Sequence, residues 1–150
     1  DNICTDDLSR VAEARVLLHS SNTEVSNELG QIRSLPKAVF CSTAQCSKKF
    51  GLGRSVAFSV GKFGVIFSHQ AWQPFYVRHE LIHHLQNERW GTLNSWAFKP
   101  SWLIEGMAYS RSNDPRQTLP EPLESWRDQY QRWESKVGAK HIWTAGENVQ

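Results

Sequence analysis

The segment VRHELIHHLQ, residues 77–86, carries three histidines and a glutamate in a run that otherwise has the pattern of an amphipathic helix. On a helix, His79 and His83 share one face with their Cβ atoms about 5–6 Å apart, so both imidazoles can bind one metal ion. Glu80 lies beside them and can reach a water on that ion without being a ligand itself. The HELIH pattern therefore predicts a zinc site of the HExxH type.

A third ligand separates this interpretation from the alternative, in which the same residues form the solvated face of a surface helix. A catalytic zinc takes three protein ligands and keeps one position open. A third histidine in the HxxGxxH arrangement would need Gly at 86 and His at 89, where the chain has Gln86 and Arg89. The later segment WLIEGMAY instead offers Glu105 in an apolar setting. This residue is either a solvent-facing carboxylate or a metal ligand, and a cation would offset the cost of burying it.

Taken together, HELIH and WLIEGMA resemble the paired motifs of the glutamate zincins, or gluzincins, metallopeptidases in which HExxH and a downstream Glu-Gly-x-Ala helix hold one zinc. The resemblance extends over about residues 55–109, and the short chain is similar to the minimal members of the group. It implies one Zn²⁺ per chain, bound by His79, His83 and Glu105, with Glu80 as general base and acid. It also implies an endopeptidase that hydrolyses peptide bonds of an extended protein or peptide substrate.

Three more residues are candidates for stabilising the transition state. Tyr109 lies four residues after Glu105 on the same helical face, where some gluzincins have an aspartate that hydrogen-bonds to a zinc histidine. It can support the zinc site, donate a hydrogen bond to an oxyanion, or belong to the core. The group usually places a His or Tyr opposite the base, and His141 and Tyr130 are the candidates by order along the chain. His84 is rotated by about 100° from His83 and is expected outside the ligand set or exposed.

The residues before the HELIH helix predict a β-hairpin that also bears on substrate binding. In SVAFSVGKFGVIFS, residues 55–68, two runs rich in Val, Ile and Phe flank a Gly-Lys pair. In zincins, the strand before the HExxH helix forms the upper edge of the cleft and pairs with the substrate. The resemblance therefore implies that a peptide binds along Gly64–Ser68, since an exposed edge strand offers main-chain hydrogen bonds. A hairpin buried in the core is the alternative.

The remaining pattern predicts an α+β, zincin-like fold in a single domain, residues 1–150. A small, mostly antiparallel sheet is expected to pack on the HExxH helix, with the Glu105 helix and a closing helix below the cleft. The expected elements are a helix from Thr5 to near Ser20, a loop or weak helix to Gly30, a strand in KAVFCS, a helix from Pro74 to Gly91, a helix in SWLIEGMAYS, and a closing helix ending at Gly138.

Composition limits the classes of partner. Hydrophobic residues make up 39% of the chain and charged residues 21%, which excludes the signature of disorder. The formal net charge is +2 and neither sign is concentrated in a block, so we expect no nucleic-acid partner and no membrane-surface partner. No apolar run approaches the roughly 18 residues that span a bilayer. The oligomeric state is left open by the sequence.

The cysteines and the first residue favour a secreted or periplasmic protein over a cytoplasmic one. Cys41 and Cys46 are close enough for a small disulfide loop, while Cys4 is either a free thiol or an alternative partner. A start at Asp1 fits removal of a signal peptide, and also a cloning boundary. Two further functions stay open. One is a non-catalytic binding module on a zincin scaffold, and the other is an intracellular regulator that acts on one dedicated partner, with reduced cysteines.

Overall fold

The computed structural model describes residues 2–61 and 63–150, and about 58% of the chain is helical. The strands are β1 (Ile3–Thr5), β2 (Lys37–Phe40), β3 (Ala57–Val60) and β4 (Gly64–Phe67). The α-helices are α1 (Val11–Leu29), α2 (Ala44–Lys49), α3 (Pro74–Trp90), α4 (Thr92–Ala97), α5 (Ser101–Arg111), α6 (Leu123–Val137) and α7 (Ile142–Glu147). Short 3-10 helices precede α1 (Leu8–Arg10) and α7 (Ala139–His141). The α+β prediction is confirmed.

The four strands form one mixed sheet in the order β1-β2-β4-β3. The β1–β2 and β2–β4 pairs are parallel, and only β3–β4 is antiparallel, as the hairpin prediction required. The expectation of a mostly antiparallel sheet is therefore wrong. The reason is the long α1 crossover, which returns the chain to the start of the sheet so that β1 and β2 run in the same direction.

The expected edge strand is also wrong, because β4 lies inside the sheet. Val65 of β4 is paired with Ala38 on one side and with Ser59 on the other. The backbone groups of Gly64–Phe67 are thus used in the sheet and are not available to a substrate. Among the described residues, β3 is the outer strand on this side, and it contacts α3.

One face of the sheet is buried against helices and forms the core. Buried side chains from the two central strands pack with fully buried side chains of α3, and with α1 residues such as Leu18. The strand and α3 residues that share this cluster are Ala38, Phe40, Val65, Phe67, Val77, Leu81, Ile82 and Leu85. α3 also contacts α1 and α5, so the helix that carries HELIH is central.

The first helix differs from the prediction at both ends. Thr5 belongs to β1, and the Asp7 carboxylate instead accepts a hydrogen bond from the Ser9 backbone N–H at 2.9 Å, at the start of the 3-10 turn. α1 then continues nine residues past Ser20 to Leu29. Its second half is polar in composition but buries a stripe that includes Val25, and this tertiary burial outweighs the weak helical propensity.

The ends of the later helices follow local signals in the sequence. α3 begins at Pro74 and ends before Gly91, whose φ of 84° is the left-handed conformation that glycine adopts freely. α5 follows Pro100, and α6 ends before Gly138 with a φ of 85°. These three predicted helices are confirmed. The short helices α2, α4 and α7 were not predicted, and because α7 follows α6, the helix that ends at Gly138 is not the closing one.

A disulfide joins Cys41 to Cys46 across the start of α2, and Cys4 is a free, exposed thiol. Thr43 caps α2, accepting a hydrogen bond from the Cys46 backbone N–H at 3.1 Å.

No helix within the described ranges is long and apolar enough to cross a membrane.

Candidate metal centre

Two polar residues of the HELIH segment in α3 are buried rather than solvated. His79 is only 9% exposed and Glu80 only 8% exposed. Burying such groups is unfavourable unless each has a partner, so the interpretation as a wet helix face does not hold. Their partners come from α5 and β3.

Three side chains converge where α3 and α5 meet. The Nε2 atoms of His79 and His83 are 3.1 Å apart, and each lies 3.5 Å from an oxygen of Glu105. A tetrahedral zinc with bonds of about 2.0–2.1 Å places its ligand atoms about 3.3–3.4 Å from one another. The two 3.5 Å contacts are made by different carboxylate oxygens, Oε2 for His79 and Oε1 for His83. The side chains thus converge at distances close to those between zinc ligands, and these residues can hold a metal ion.

The electrostatics of the three groups are strongly coupled. Burial alone would lower the pKa of His83, but the nearby Glu105 carboxylate outweighs this effect and raises that pKa to about 9. Burial would raise the pKa of Glu105, but the charge of His83 and hydrogen bonds from both histidines hold that pKa well below its usual range. Glu105 is therefore an ionised carboxylate that lies beside a positively charged His83.

Glu80 is fixed by a contact that the sequence did not reveal. The hydroxyl of Ser59 on β3 donates a hydrogen bond of 2.5 Å to Oε2 of Glu80. The alternation of Val56, Phe58 and Val60 puts Ser59 on the opposite, inward face of its strand, and a polar residue there was the available signal. This hydrogen bond thus connects Glu80 of α3 to the outer strand β3.

Gln86 is the second residue that sequence reasoning missed. It is 1% exposed and contacts both His83 and the backbone of Ile104 in α5. Its position one helical turn after His83, on the same face, was the signal for this contact.

Tyr109 is close to the ligands. Its ring meets the His79 ring edge to face, with centroids 4.4 Å apart. Burial raises the pKa of Tyr109, and the negative charge of Glu105 adds to the effect, so the hydroxyl is protonated at neutral pH. A protonated phenol beside the site can donate a hydrogen bond.

The other candidates lie away from the three ligands. His141 is exposed at the end of its 3-10 helix and does not line the cavity at the site. Trp143, two residues further, packs on Trp90 at the C-terminal end of α3. Tyr130 is fully buried, contacts Glu134 at 3.4 Å and packs beside Gly106, and like His141 it does not line the cavity.

The expectation for His84 is corrected in part. This residue is 2% exposed, and its Nε2 lies 2.7 Å from the backbone oxygen of Ser34 on another side of α3. It is outside the ligand set as expected, but it is buried rather than exposed because it packs against the chain segment between α1 and β2.

An open cavity of about 710 Å³ gives access to the ligands. β3 forms one wall, and α3 and α5 form the floor, with His79, Glu80, His83 and Glu105 all in the lining. Asp114 and Arg116, from the loop after α5, complete it, and their side chains form an ion pair. The metal-binding group and the candidate base thus share one solvent-accessible cleft.

Comparisons with known proteins give no relative. No protein-family model matches the chain, and no curated protein and no solved structure matches it. The function is therefore argued from the site itself.

Proposed function

We propose that this protein is a zinc-dependent endopeptidase of the gluzincin type, with one Zn²⁺ bound by His79, His83 and Glu105. The observation that carries the proposal is the convergence of the three side chains. The two histidine Nε2 atoms are 3.1 Å apart, and each lies 3.5 Å from one of the two Glu105 oxygens, close to the distance of about 3.3–3.4 Å between ligands of a tetrahedral zinc. Two imidazoles and one carboxylate also form a donor set that suits zinc.

Peptide hydrolysis of this kind requires a metal, a base and a hydrogen-bond donor for the oxyanion in one cleft. Zinc bound there would lower the pKa of a coordinated water to about 7 and polarise the scissile carbonyl. Glu80 would take the proton of the attacking water and pass it to the leaving amine, and Ser59 would hold the carboxylate in place for both steps. Tyr109 would donate a hydrogen bond to the developing oxyanion.

The substrate we propose is an extended protein or peptide segment bound along β3, in place of the β4 position expected from the sequence. β3 lines the cavity and is the outer strand of the sheet on this side. An added strand would gain main-chain hydrogen bonds there. Phe58 and Val60 of β3 and Trp96 of α4 are 56%, 46% and 84% exposed around the same cavity, which favours apolar substrate side chains.

Zinc content and proteolysis test the proposal together. We expect the wild-type protein to hold one zinc by elemental analysis and to digest casein. Glu105→Ala loses the zinc because a ligand is removed, while Glu80→Gln keeps the zinc but stops cleavage because the base is removed.

A Glu105→Ala variant that retained its zinc undiminished would show that the ligand set is wrong. Wild-type protein that bound zinc but cleaved nothing would instead support the non-catalytic binding module. The matched control is Glu121→Ala, an exposed glutamate distant in sequence from the ligands, which should keep both zinc and activity.

We also propose that the protein is exported. The Cys41–Cys46 disulfide supports this localisation, because such bonds persist in oxidising compartments. Mass spectrometry under alkylating conditions on protein from its native compartment tests it. A fully reduced pair would favour the intracellular regulator.

A further inference from the structure

Gln86 is a polar side chain in an otherwise apolar position between the two ligand helices. It lies on α3 between Leu85 and Asn87, and it is 1% exposed. A buried amide has a cost that only hydrogen bonds offset. The hydrogen-bond partners of its amide oxygen and nitrogen indicate its role.

Both amide atoms have partners, and the partners fix its orientation. Nδ1 of His83 lies 2.9 Å from Oε1 of Gln86, and Nε2 of Gln86 donates a hydrogen bond of 3.0 Å to the backbone oxygen of Ile104. A carbonyl oxygen can only accept, so the amide N–H₂ faces Ile104 and the amide oxygen faces His83. The proton in the first contact is therefore on Nδ1 of His83.

This arrangement leaves the other ring nitrogen of His83 for a metal. Nε2 of His83 points at His79 and Glu105, at 3.1 and 3.5 Å. A histidine that binds a metal through Nε2 must carry its proton on Nδ1, and the group that accepts that proton's hydrogen bond fixes the tautomer and the ring orientation.

The second hydrogen bond connects the ligands from the two helices. Ile104 directly precedes Glu105, so one amide side chain joins the ring of His83 to the backbone beside the third ligand. A displacement of α5 relative to α3 would break this contact.

We propose that Gln86 is a positioning residue of the metal centre, which holds His83 in the metal-binding tautomer and sets the distance from His83 to Glu105. This inference rests on the proposed zinc site. It goes beyond the ligand set by assigning a fourth residue of the chain to zinc affinity.

Two substitutions distinguish a positioning role from simple packing, because the two roles predict opposite orders of zinc affinity for the two variants. Gln86→Met keeps the volume and removes both hydrogen bonds, whereas Gln86→Glu keeps an acceptor for the Nδ1 proton. If Gln86 positions His83, zinc affinity falls by about 10–100-fold in Gln86→Met and falls less in Gln86→Glu. If Gln86 only fills space, the apolar Met is tolerated and a buried carboxylate facing a backbone carbonyl is the more harmful change.

The experiment measures the dissociation constant of Zn²⁺ by competition with a chromogenic chelator, for wild type, both variants and the exposed control Gln129→Met. Circular dichroism of the metal-free proteins checks that each is folded. If Gln86→Glu does not fold, Gln86→Asn replaces it, since its amide is one methylene too short to reach His83 and it should lose affinity as Met does.

Wild-type affinity retained by Gln86→Met, or by Gln86→Asn, would overturn the inference and leave the proposed peptidase intact. A wild-type protein that binds no zinc would overturn the proposed function and this inference together. We expect the wild type to bind zinc most tightly, Gln86→Glu less tightly and Gln86→Met least tightly. The control Gln129→Met should bind zinc as the wild type does.

Discussion

Single residues at this site are each fixed by a specific partner. Glu80 accepts a hydrogen bond from Ser59, and His83 is bonded through Nδ1 to Gln86. Reactive groups that are held in place in advance avoid the cost of reorganising during the reaction. The pattern of buried, partnered polar side chains thus favours a working site over an incidental cluster.

Loss of the Tyr109 hydroxyl tests whether this residue takes part in catalysis. Tyr109→Phe should lower kcat by about 10²–10³-fold, because it removes the hydrogen-bond donor that we propose for the oxyanion and leaves the ring packed on His79. Zinc content should be unchanged. Steady-state kinetics on a fluorogenic peptide measure the effect.

The control for this change is Tyr76→Phe, since Tyr76 also lines the cavity but its ring packs on Phe75, with centroids 4.1 Å apart. It should keep kcat near the wild-type value. Full activity in Tyr109→Phe would remove Tyr109 from the mechanism and leave it a role in packing.

Among the elements, the contact of α5 with α6 decides where Glu105 lies. Gly106 follows the ligand, and a Cβ atom added there would come within 2.3 Å of the backbone oxygen of Trp126 and 2.9 Å of Cβ of Tyr130. No side chain fits at that distance, so the absence of one allows the two helices to touch. The close contact between α5 and α6 thus explains the glycine in the WLIEGMA segment.

Gly106→Ala should therefore destabilise the protein by about 1–3 kcal/mol through overpacking, although alanine is the better helix former. It should also weaken zinc binding, because α5 must move and Glu105 moves with it. Chemical denaturation and the chelator competition measure the two effects.

Ser101→Ala, at the exposed start of the same helix, is the matched control and should stay within about ±0.5 kcal/mol of wild type. A stabilised Gly106→Ala protein with normal zinc affinity would contradict the close contact of the two helices.

For the whole molecule, the proposed metal would link its central helix to its later half. α3 packs on the sheet and α1, and α5 packs on α6, so a bond from both histidines and Glu105 to one ion would connect the two sets of elements. Metal binding to the folded chain alone adds to its stability.

Zinc at one hundred times its dissociation constant should stabilise the fold by about 2.7 kcal/mol and raise Tm by about 5–10 °C. Differential scanning calorimetry with zinc, and again after chelation, measures the shift and its reversal. Glu105→Ala is the control and should show little shift. An equal shift in that variant would place the stabilising ion elsewhere on the protein.

The sequence by itself determined the local geometry of the candidate site residues. The four-residue spacing of His79 and His83 puts both on one helical face whatever surrounds the helix, and the glycines at 91 and 138 end their helices because few other residues adopt a positive φ. The alternation of apolar residues likewise predicted the hairpin. All of these depend on contacts between neighbours in the chain.

Only the tertiary structure decided which strand borders the cleft, where His141 lies, and which residues support the candidate ligands. The parallel pairing of β1 with β2 and the interior place of β4 depend on strands distant in sequence, and no local spacing encodes them. Ser59 reaches Glu80, and Gln86 reaches Ile104, for the same reason. Local geometry fixes which side chains share a face, whereas packing between distant segments fixes what that face meets.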